Sequence, residues 1–189
     1  MRGASLRQAA WQPHARSVRA SNPMRDWLTT PGSLTARLVA HSEAFRVRRL
    51  HQRSASSMAD EALAVGLAGR ARVWEREVLL ECDGRPVVFG HTVVPMRCSA
   101  HDWPLFSALG ERSLGSTLFY DPLVRRDRHE FARLRAGHPL VERVRAATGA
   151  QETEYYARRC LYRRRQGLLL VTEVFLPAVL ALSDHLKNK

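Results

Sequence analysis

Hydrophobic and polar residues alternate most regularly in the middle of the chain, where two β-rich runs are joined by a turn. The runs are W-E-R-E-V-L-L-E-C (74–82) and R-P-V-V-F-G-H-T-V-V-P (85–95), and Asp83-Gly84 separates them. Alternation with a period of two is typical of strands, and Asp-Gly between such runs is a strong hairpin signal. The pattern therefore predicts an antiparallel hairpin over 74–95.

The other elements predicted from the pattern are shorter. The expected strands are 44–50, 155–165 and 168–176, and the expected helices are 34–41, 58–67 and 139–147. Short helices or turns are expected over 102–109 and 114–119, whereas 124–134 fits either a strand or a helix. Hairpins with intervening helices are typical of an α+β domain built on an antiparallel sheet.

Length and composition indicate one globular domain. The chain has 189 residues, of which 45% are hydrophobic and 25% charged, with a formal net charge of +12. This excess of arginine attracts anions, so nucleic acid, a membrane surface and a small anionic metabolite are all candidate partners. The arginines are scattered and no aromatic–basic motif of a nucleic-acid module is present, which favours the small anion.

The two ends of the chain differ in character from its middle. Residues 1–23 are rich in Arg, Ser and Ala and are expected to be a disordered extension or a mis-assigned start, with Met24 as the initiator. The expected domain spans 24–182, and 183–189 reads as a polar tail. The longest apolar stretch, 168–182, is too short to cross a bilayer, so no stable membrane insertion is expected.

The cysteines indicate a reducing compartment. Cys82, Cys98 and Cys160 are odd in number and form no C-x-x-C pair. Neither a disulfide framework nor a structural zinc site is expected, and a cytoplasmic location fits best.

An arginine interrupts the apolar face of the predicted hairpin. Arg76 lies on the same face as Trp74, Val78 and Leu80, whereas the glutamates of this strand fall on the other face. A two-residue turn would place Arg76 opposite His91, giving two cationic-capable groups side by side. Arg76 either snorkels or pairs with a structural carboxylate, or it forms a planar clamp for a ligand carboxylate.

A glutamate interrupts the apolar run L-L-L-V-T-E-V-F-L-P (168–177). Glu173 shares a face with Leu169, Val171 and Phe175, where a bare carboxylate is costly. It is either a buried partner for one of the arginines or an acid, base or acceptor in an apolar pocket. Arg76 and Glu173 would form a site only if they face one cavity.

Four segments in order resemble the chorismate pyruvate-lyase family, which makes 4-hydroxybenzoate for ubiquinone synthesis. They are 74–95, L-G-S-T-L-F (114–119), R-R-D (125–127) and 168–177, with weaker matches at D-W-L (26–28) and S-L-T (33–35). The resemblance implies a sheet of about six antiparallel strands with helices covering a buried site. It also implies a monomer that needs no cofactor or metal and is subject to product inhibition.

The resemblance assigns the site residue by residue. It implies that Arg76 and the backbone amide of Leu34 hold the ligand carboxylate, while Glu173 and the backbone at Leu114 hold its hydroxyl. His91 stands where known relatives carry arginine and is expected to be a weaker or pH-dependent anion contact. Whether Glu173 is a general base or only a binding group is open, because proton transfer within chorismate is equally compatible.

Two features leave alternatives to this function open. An apparent insertion at 136–153 adds a helix of unassigned role, which in the simplest interpretation is a surface excursion. Effector domains of some bacterial regulators share this type of fold, so a non-catalytic domain that senses aromatic acids is the alternative function. Residues 1–60 show no convincing helix-turn-helix, and the set of Arg76, Leu114 and Glu173 favours the enzyme.

Overall fold

A computed structural model describes most of the chain as one sheet covered by short helices. The described residues are 8–98, 101–104, 106, 109–112, 114–115, 118 and 121–183. The α-helices are α1 (Asn22–Leu28), α2 (Leu34–Ala40), α3 (Ala59–Ala64) and α4 (Pro139–Thr148). Single 3-10 turns lie at Ala15–Val18 and Met96–Cys98, and a longer one at Pro177–Ser183. Within the described part of the chain, none of the helices has the length and apolar character to cross a membrane.

Seven antiparallel strands form the sheet. They are β1 (Phe45–Ser56), β2 (Arg72–Cys82), β3 (Arg85–Pro95), β4 (Val124–Arg126), β5 (Glu130–Arg135), β6 (Glu154–Arg164) and β7 (Gly167–Phe175). The order across the sheet is β1-β2-β3-β7-β6-β4, and β5 pairs with another stretch of β6. The prediction of an α+β fold on an antiparallel sheet is confirmed, with seven strands instead of about six. The ambiguous segment 124–134 contains two of them.

The sequence signals that start and end these elements work as predicted. Asp83 and Gly84 have φ values of 51° and 77°, the left-handed pair that a tight hairpin turn needs. Ser33 caps α2 by accepting a hydrogen bond from the amide of Ala36, which satisfies one of the free donors at the helix start. Gly149 ends α4 with φ 71°.

The predicted register of the β2–β3 hairpin is wrong after its first pairs. Leu80 was expected opposite Val87 but lies opposite Val88, because Val87 is an extra residue on β3. Such a β-bulge moves every later side chain of one strand to a different partner. Arg76 therefore lies opposite Thr92.

Both faces of the sheet are covered. Arg76 and Leu80 point to the face covered by α1 and α2, whereas Leu79 points to the face covered by α4. The insertion at 136–153 is more than a surface excursion, because Leu140, Val141 and Val144 of α4 are buried in the second core cluster. The sheet is thus a central layer.

The N-terminal segment differs from the expectation of a disordered tail. From Gln12 onwards it lies on the sheet, with the backbone of Gln12 hydrogen-bonded in both directions to that of Phe131 at 2.8 Å. Ala15 and Val18 are buried in the first core cluster. The segment is held by burial of a few small hydrophobic side chains. Such residues leave no periodic pattern in an Arg-rich sequence, so the sequence did not predict this order. Residues 184–189 of the predicted tail lie outside the described residues, as do 105, 107–108, 113, 116–117 and 119–120 in and beside the segments expected to be short helices or turns.

Candidate active site

A cavity lies between the sheet and α2. It encloses about 620 Å³ of empty space, which includes open solvent at its mouth. Seven aliphatic side chains line it, namely Leu34, Val47, Val78, Leu80, Leu114, Leu118 and Val171. The ionisable side chains lining it are Arg76, Arg126, His129, Arg158, Tyr162 and Glu173. Arg76 and Glu173 therefore face one cavity, which is the condition set by the sequence for a shared site.

Arg76 is a buried cation without a carboxylate partner among the described residues. Its side chain is 2% exposed, and Nη2 donates to the carbonyls of Gly110 (3.1 Å) and Arg112 (2.9 Å). Nε is buried without a hydrogen bond. Burial, with the neighbouring charge of Arg49, lowers the pKa of Arg76 to about 10, so it stays charged at neutral pH. A buried guanidinium with unused donors is suited to bind an anionic ligand.

Glu173 lies at the β7–β6 side of the cavity and pairs with Arg158. The Nε group of Arg158 donates to Oε2 of Glu173, directly across the strand pair. Arg158 also donates from Nη1 to the carbonyls of Leu28 (3.2 Å) and Thr30 (3.3 Å), which fixes the α1–α2 connection. The Glu173 side chain remains 20% exposed. Glu173 is therefore the partner of an arginine and also lines the cavity, whereas its role as an acid, base or acceptor stays a prediction.

Leu34 and Leu114 lie at the cavity as the sequence predicted. Leu34 is the first residue of α2, so its amide has no acceptor inside the helix. Leu114 is buried and lines the cavity near the two carbonyls that hold Arg76. Their side chains add apolar wall, and their main chains are the groups for which the resemblance implied a ligand contact.

The cavity is electropositive. Arg76, Arg126 and Arg158 outweigh the one carboxylate, Glu173, so these side chains carry a net charge of +2. His129 adds no charge at neutral pH, because burial and the neighbouring Arg158 lower its pKa to about 4. Such a cavity favours a ligand with two negative charges.

His91 is not at the cavity, which contradicts its predicted role beside Arg76. The bulge at Val87 places His91 opposite Glu77, on the face covered by α3 and α4. It is fully buried there, with Nε2 2.7 Å from Glu61 Oε1 and Nδ1 3.0 Å from Glu77 Oε1. His91 thus belongs to a structural ion-pair network behind the cavity wall.

The pH dependence of stability should reveal this network. The carboxylates of Glu61 and Glu77 oppose the effect of burial and raise the pKa of His91 to about 10. A raised folded-state pKa stabilises the protein fully below the ordinary value of 6.5, and this contribution is lost as the pH rises through 10. We expect the free energy of unfolding, relative to that of His91→Gln, to fall by on the order of 3 kcal/mol between pH 7 and 10. Urea unfolding of both proteins between pH 7 and 10 measures this difference in the free energy of unfolding. A difference that stays constant over that range would contradict a charged His91 in the folded protein.

Four ionisable residues of the cavity were missed from the sequence, namely Arg126, His129, Arg158 and Tyr162. Arg158 could have been predicted from strand pairing, because a β6–β7 turn at Arg165-Gln166 places it directly opposite Glu173. The sequence suggested a turn at Gln166-Gly167, which shifts the pairing by two residues. Arg126 belongs to the R-R-D motif, but nothing in its local pattern shows that it faces the cavity.

Comparison with known proteins gives a consistent result. The family model described as chorismate lyase matches residues 5–183. A protein of Cupriavidus pinatubonensis, named "Probable chorismate pyruvate-lyase", is 51% identical over 159 residues, covering 83% of this chain and 82% of the relative. Proteins of the same name from Cupriavidus metallidurans (49% identity, covering 92% and 82%) and Dechloromonas aromatica (44%, covering 92% and 98%) also match.

Solved structures with a similar fold are regulator domains. The effector domain of PhnF from Mycobacterium smegmatis superposes with a TM-score of 0.55 at 15% identity, covering 78% of this chain and 90% of that one. A GntR-family transcriptional regulator from Bacillus cereus gives 0.51 at 13% identity, covering 71% and 92%. At these identities the likeness concerns the fold alone.

Proposed function

The chain belongs to the chorismate lyase family, and from that premise we propose that it cleaves chorismate to 4-hydroxybenzoate and pyruvate. The observation that carries the proposal is the cavity itself, where Arg76 lies buried without a carboxylate partner among the described residues and Glu173 lines the same space. Chorismate is a dianion with a ring carboxylate, an enolpyruvyl carboxylate and a ring hydroxyl. Its two charges match the net charge of the cavity side chains.

In the proposed complex Arg76 fixes the ring carboxylate, supported by the backbone amide of Leu34. The carbonyls of Gly110 and Arg112 hold Nη2 of Arg76, so the guanidinium plane is oriented before the ligand arrives. Such preorganisation spares the entropy of ordering a long side chain during binding. The contribution of Arg76 is therefore to position the ring.

At the other end Glu173 and the backbone at Leu114 hold the ring hydroxyl. Because Arg158 contacts Oε2 of Glu173, the other carboxylate oxygen is left to accept a hydrogen bond from the ligand. Arg158 holds Glu173 in place, and Arg126 adds positive charge to the same cavity. These two arginines are suited to stabilise the enolpyruvyl carboxylate and the oxygen on which charge develops.

The reaction balances without a cofactor. The ether bond between the ring and the enolpyruvyl oxygen breaks, and the ring carbon that bears the hydroxyl loses its proton. The ring becomes aromatic, which supplies driving force, and the released enolpyruvate takes up a proton at its methylene carbon to become pyruvate. Glu173 positions the hydroxyl beside the proton that leaves.

We extend the proposal to the context of the enzyme. The three described cysteines are free and buried, which fits a reducing cytoplasm. The product would serve ubiquinone synthesis, and the enclosed apolar wall suits an aromatic product that leaves slowly. A monomer suffices, because every side chain assigned here comes from one chain.

Incubation of the purified protein with chorismate tests this function. We expect pyruvate and 4-hydroxybenzoate in equal amounts without added metal or cofactor, measured by a coupled lactate dehydrogenase assay and by chromatography. The Arg76→Ala variant serves as the matched negative control. If 4-hydroxybenzoate binds but neither product forms, the domain is a sensor of aromatic acids and the proposal is wrong.

A further inference from the structure

A second cluster of functional groups lies on the face of the sheet opposite the cavity. Glu75 and Glu77 flank Arg76 on β2 and therefore point away from the substrate. His51 of β1 reaches the same place, and one ligand atom from each of these three residues lies within 4.8 Å of the other two. We propose that this cluster, called here the His51 cluster (His51, Glu75 and Glu77), is a binding site for a divalent transition-metal ion of the zinc class.

The strongest support is an unpartnered carboxylate oxygen. The side chain of Glu75 is 1% exposed, and its Oε1 is buried without a hydrogen bond. This oxygen lies 3.7 Å from His51 Nε2, too far for a hydrogen bond. The spacing is close to the separation of about 3.4 Å between two ligands of a tetrahedral zinc ion at its usual bond lengths. Leaving such an oxygen empty in a protein interior is costly, and a cation removes that cost.

The remaining contacts resemble the outer shell of a metal site. Arg143 Nη1 binds the back oxygens of both glutamates, Glu75 Oε2 at 2.6 Å and Glu77 Oε1 at 2.5 Å. The front oxygens, Glu75 Oε1 and Glu77 Oε2, are thereby turned towards His51 Nε2. Groups that bind the second oxygen of a ligating carboxylate are a general means of orienting metal ligands.

Charge also favours a cation. Glu75 and Glu77 face one guanidinium, that of Arg143, while the imidazolium of His91 is balanced by Glu61. With the exposed Arg53 left aside, the three carboxylates of Glu61, Glu75 and Glu77 exceed the two cations, Arg143 and His91, by one negative charge. Arg53 lies 3.9 Å from Glu75 Oε1, but its side chain is 64% exposed and is free to swing into solvent. The 25% exposure of His51 provides the route of entry.

A β-bulge builds the cluster. Arg49 pairs with Val78 but His51 pairs with Glu77, so Leu50 is an extra residue on β1. Without that residue His51 would lie opposite Arg76, on the cavity face. A metal bound here would tie the edge strand β1 to β2 and, through Arg143, to α4. The expected role is therefore structural, because the cluster and the cavity lie on opposite faces.

Zinc binding by the full-length protein tests the proposal. Titration calorimetry of chelator-treated protein should give one zinc ion per chain with a micromolar or tighter Kd. Zinc must replace the proton that His51 Nε2 shares with Glu77 Oε2 at 2.8 Å, so the affinity should fall at acidic pH. At a hundredfold excess over Kd, zinc should raise the Tm by about 5–10 °C.

Two conservative variants locate the site. His51→Gln and Glu75→Gln should each weaken zinc binding by at least about tenfold, which would reduce the Tm increase at the same zinc concentration to about half or less. Glu81→Gln is the matched control, because Glu81 lies on the same strand but pairs with Arg48 outside the cluster. X-ray absorption of the zinc-loaded unmodified protein, which needs no variant to fold, should show a single imidazole among oxygen ligands. Absence of saturable binding, unchanged binding by both variants, or a shell with sulfur or two imidazoles would each overturn the assignment.

Discussion

Replacing Arg76 with alanine should lower kcat/KM for chorismate by at least about a hundredfold, mainly through a higher KM. The guanidinium is buried, held by two backbone carbonyls and left with unused donors facing the cavity. A charge-assisted hydrogen bond to a ligand is worth roughly 1.5–3 kcal/mol, and each 1.36 kcal/mol is a factor of about ten in rate. Steady-state kinetics of pyruvate release measure the change.

A conservative variant at this position and a control variant elsewhere complete the experiment. Arg76→Lys keeps the positive charge but loses the planar fork, so we expect an intermediate loss of about tenfold. Arg163→Ala, which removes a half-exposed arginine paired with Asp127, should leave the kinetics unchanged. Near-normal kcat/KM for Arg76→Ala would show that the ring carboxylate binds elsewhere.

Replacing Glu173 with glutamine should lower kcat/KM by about a hundredfold, with a loss in kcat as well as weaker binding of 4-hydroxybenzoate. Glutamine keeps the volume and an acceptor oxygen but removes the charge that pairs with Arg158. Loss of a group that assists proton movement costs roughly 10²–10⁴ in rate, whereas loss of binding alone raises KM. The split between kcat and KM therefore tells whether Glu173 acts in the chemical step.

Glutamine is preferred to alanine at this position because of Arg158. Its guanidinium is 2% exposed, so truncation of Glu173 to alanine would leave the buried Nε group of Arg158 without any acceptor, whereas glutamine keeps a carbonyl oxygen at that place. Removing one partner of a buried pair costs about 3–5 kcal/mol of stability, which would obscure the effect on catalysis. Kinetics of Glu173→Gln indistinguishable from the unmodified protein would remove Glu173 from the site.

Local chemistry in the sequence was sufficient for the β2–β3 hairpin, for α2 and for two residues of the cavity, but not for α1 or for the two strands within 124–135. Asp83-Gly84 determines its turn because the left-handed backbone needs those residue types, and Ser33 caps α2 for an equally local reason. Arg76 and Glu173 stood out because each breaks an apolar strand face. Their meeting in one cavity depends on tertiary structure, and only the family resemblance predicted it.

Residues inserted into strands account for most of what the sequence could not provide. Leu50 and Val87 are each an extra residue in a strand. Leu50 has no glycine or proline beside it, and Pro86 next to Val87 was not used as a bulge signal. These two bulges bring His51 and His91 beside Glu77, whereas perfect pairing would put both opposite Arg76. Arg158 was missed for a similar reason, because the β6–β7 turn begins at Arg165, a non-glycine residue with φ 54°.

The orientation of the bound product is the most direct test of the account. A crystal structure with 4-hydroxybenzoate should show its carboxylate within hydrogen-bond distance of the Arg76 guanidinium and the Leu34 amide. Its hydroxyl should lie at Glu173, with the ring between Val78 and Leu114. A product bound the other way round, with its carboxylate at Arg158, or bound outside this cavity would contradict the proposed site.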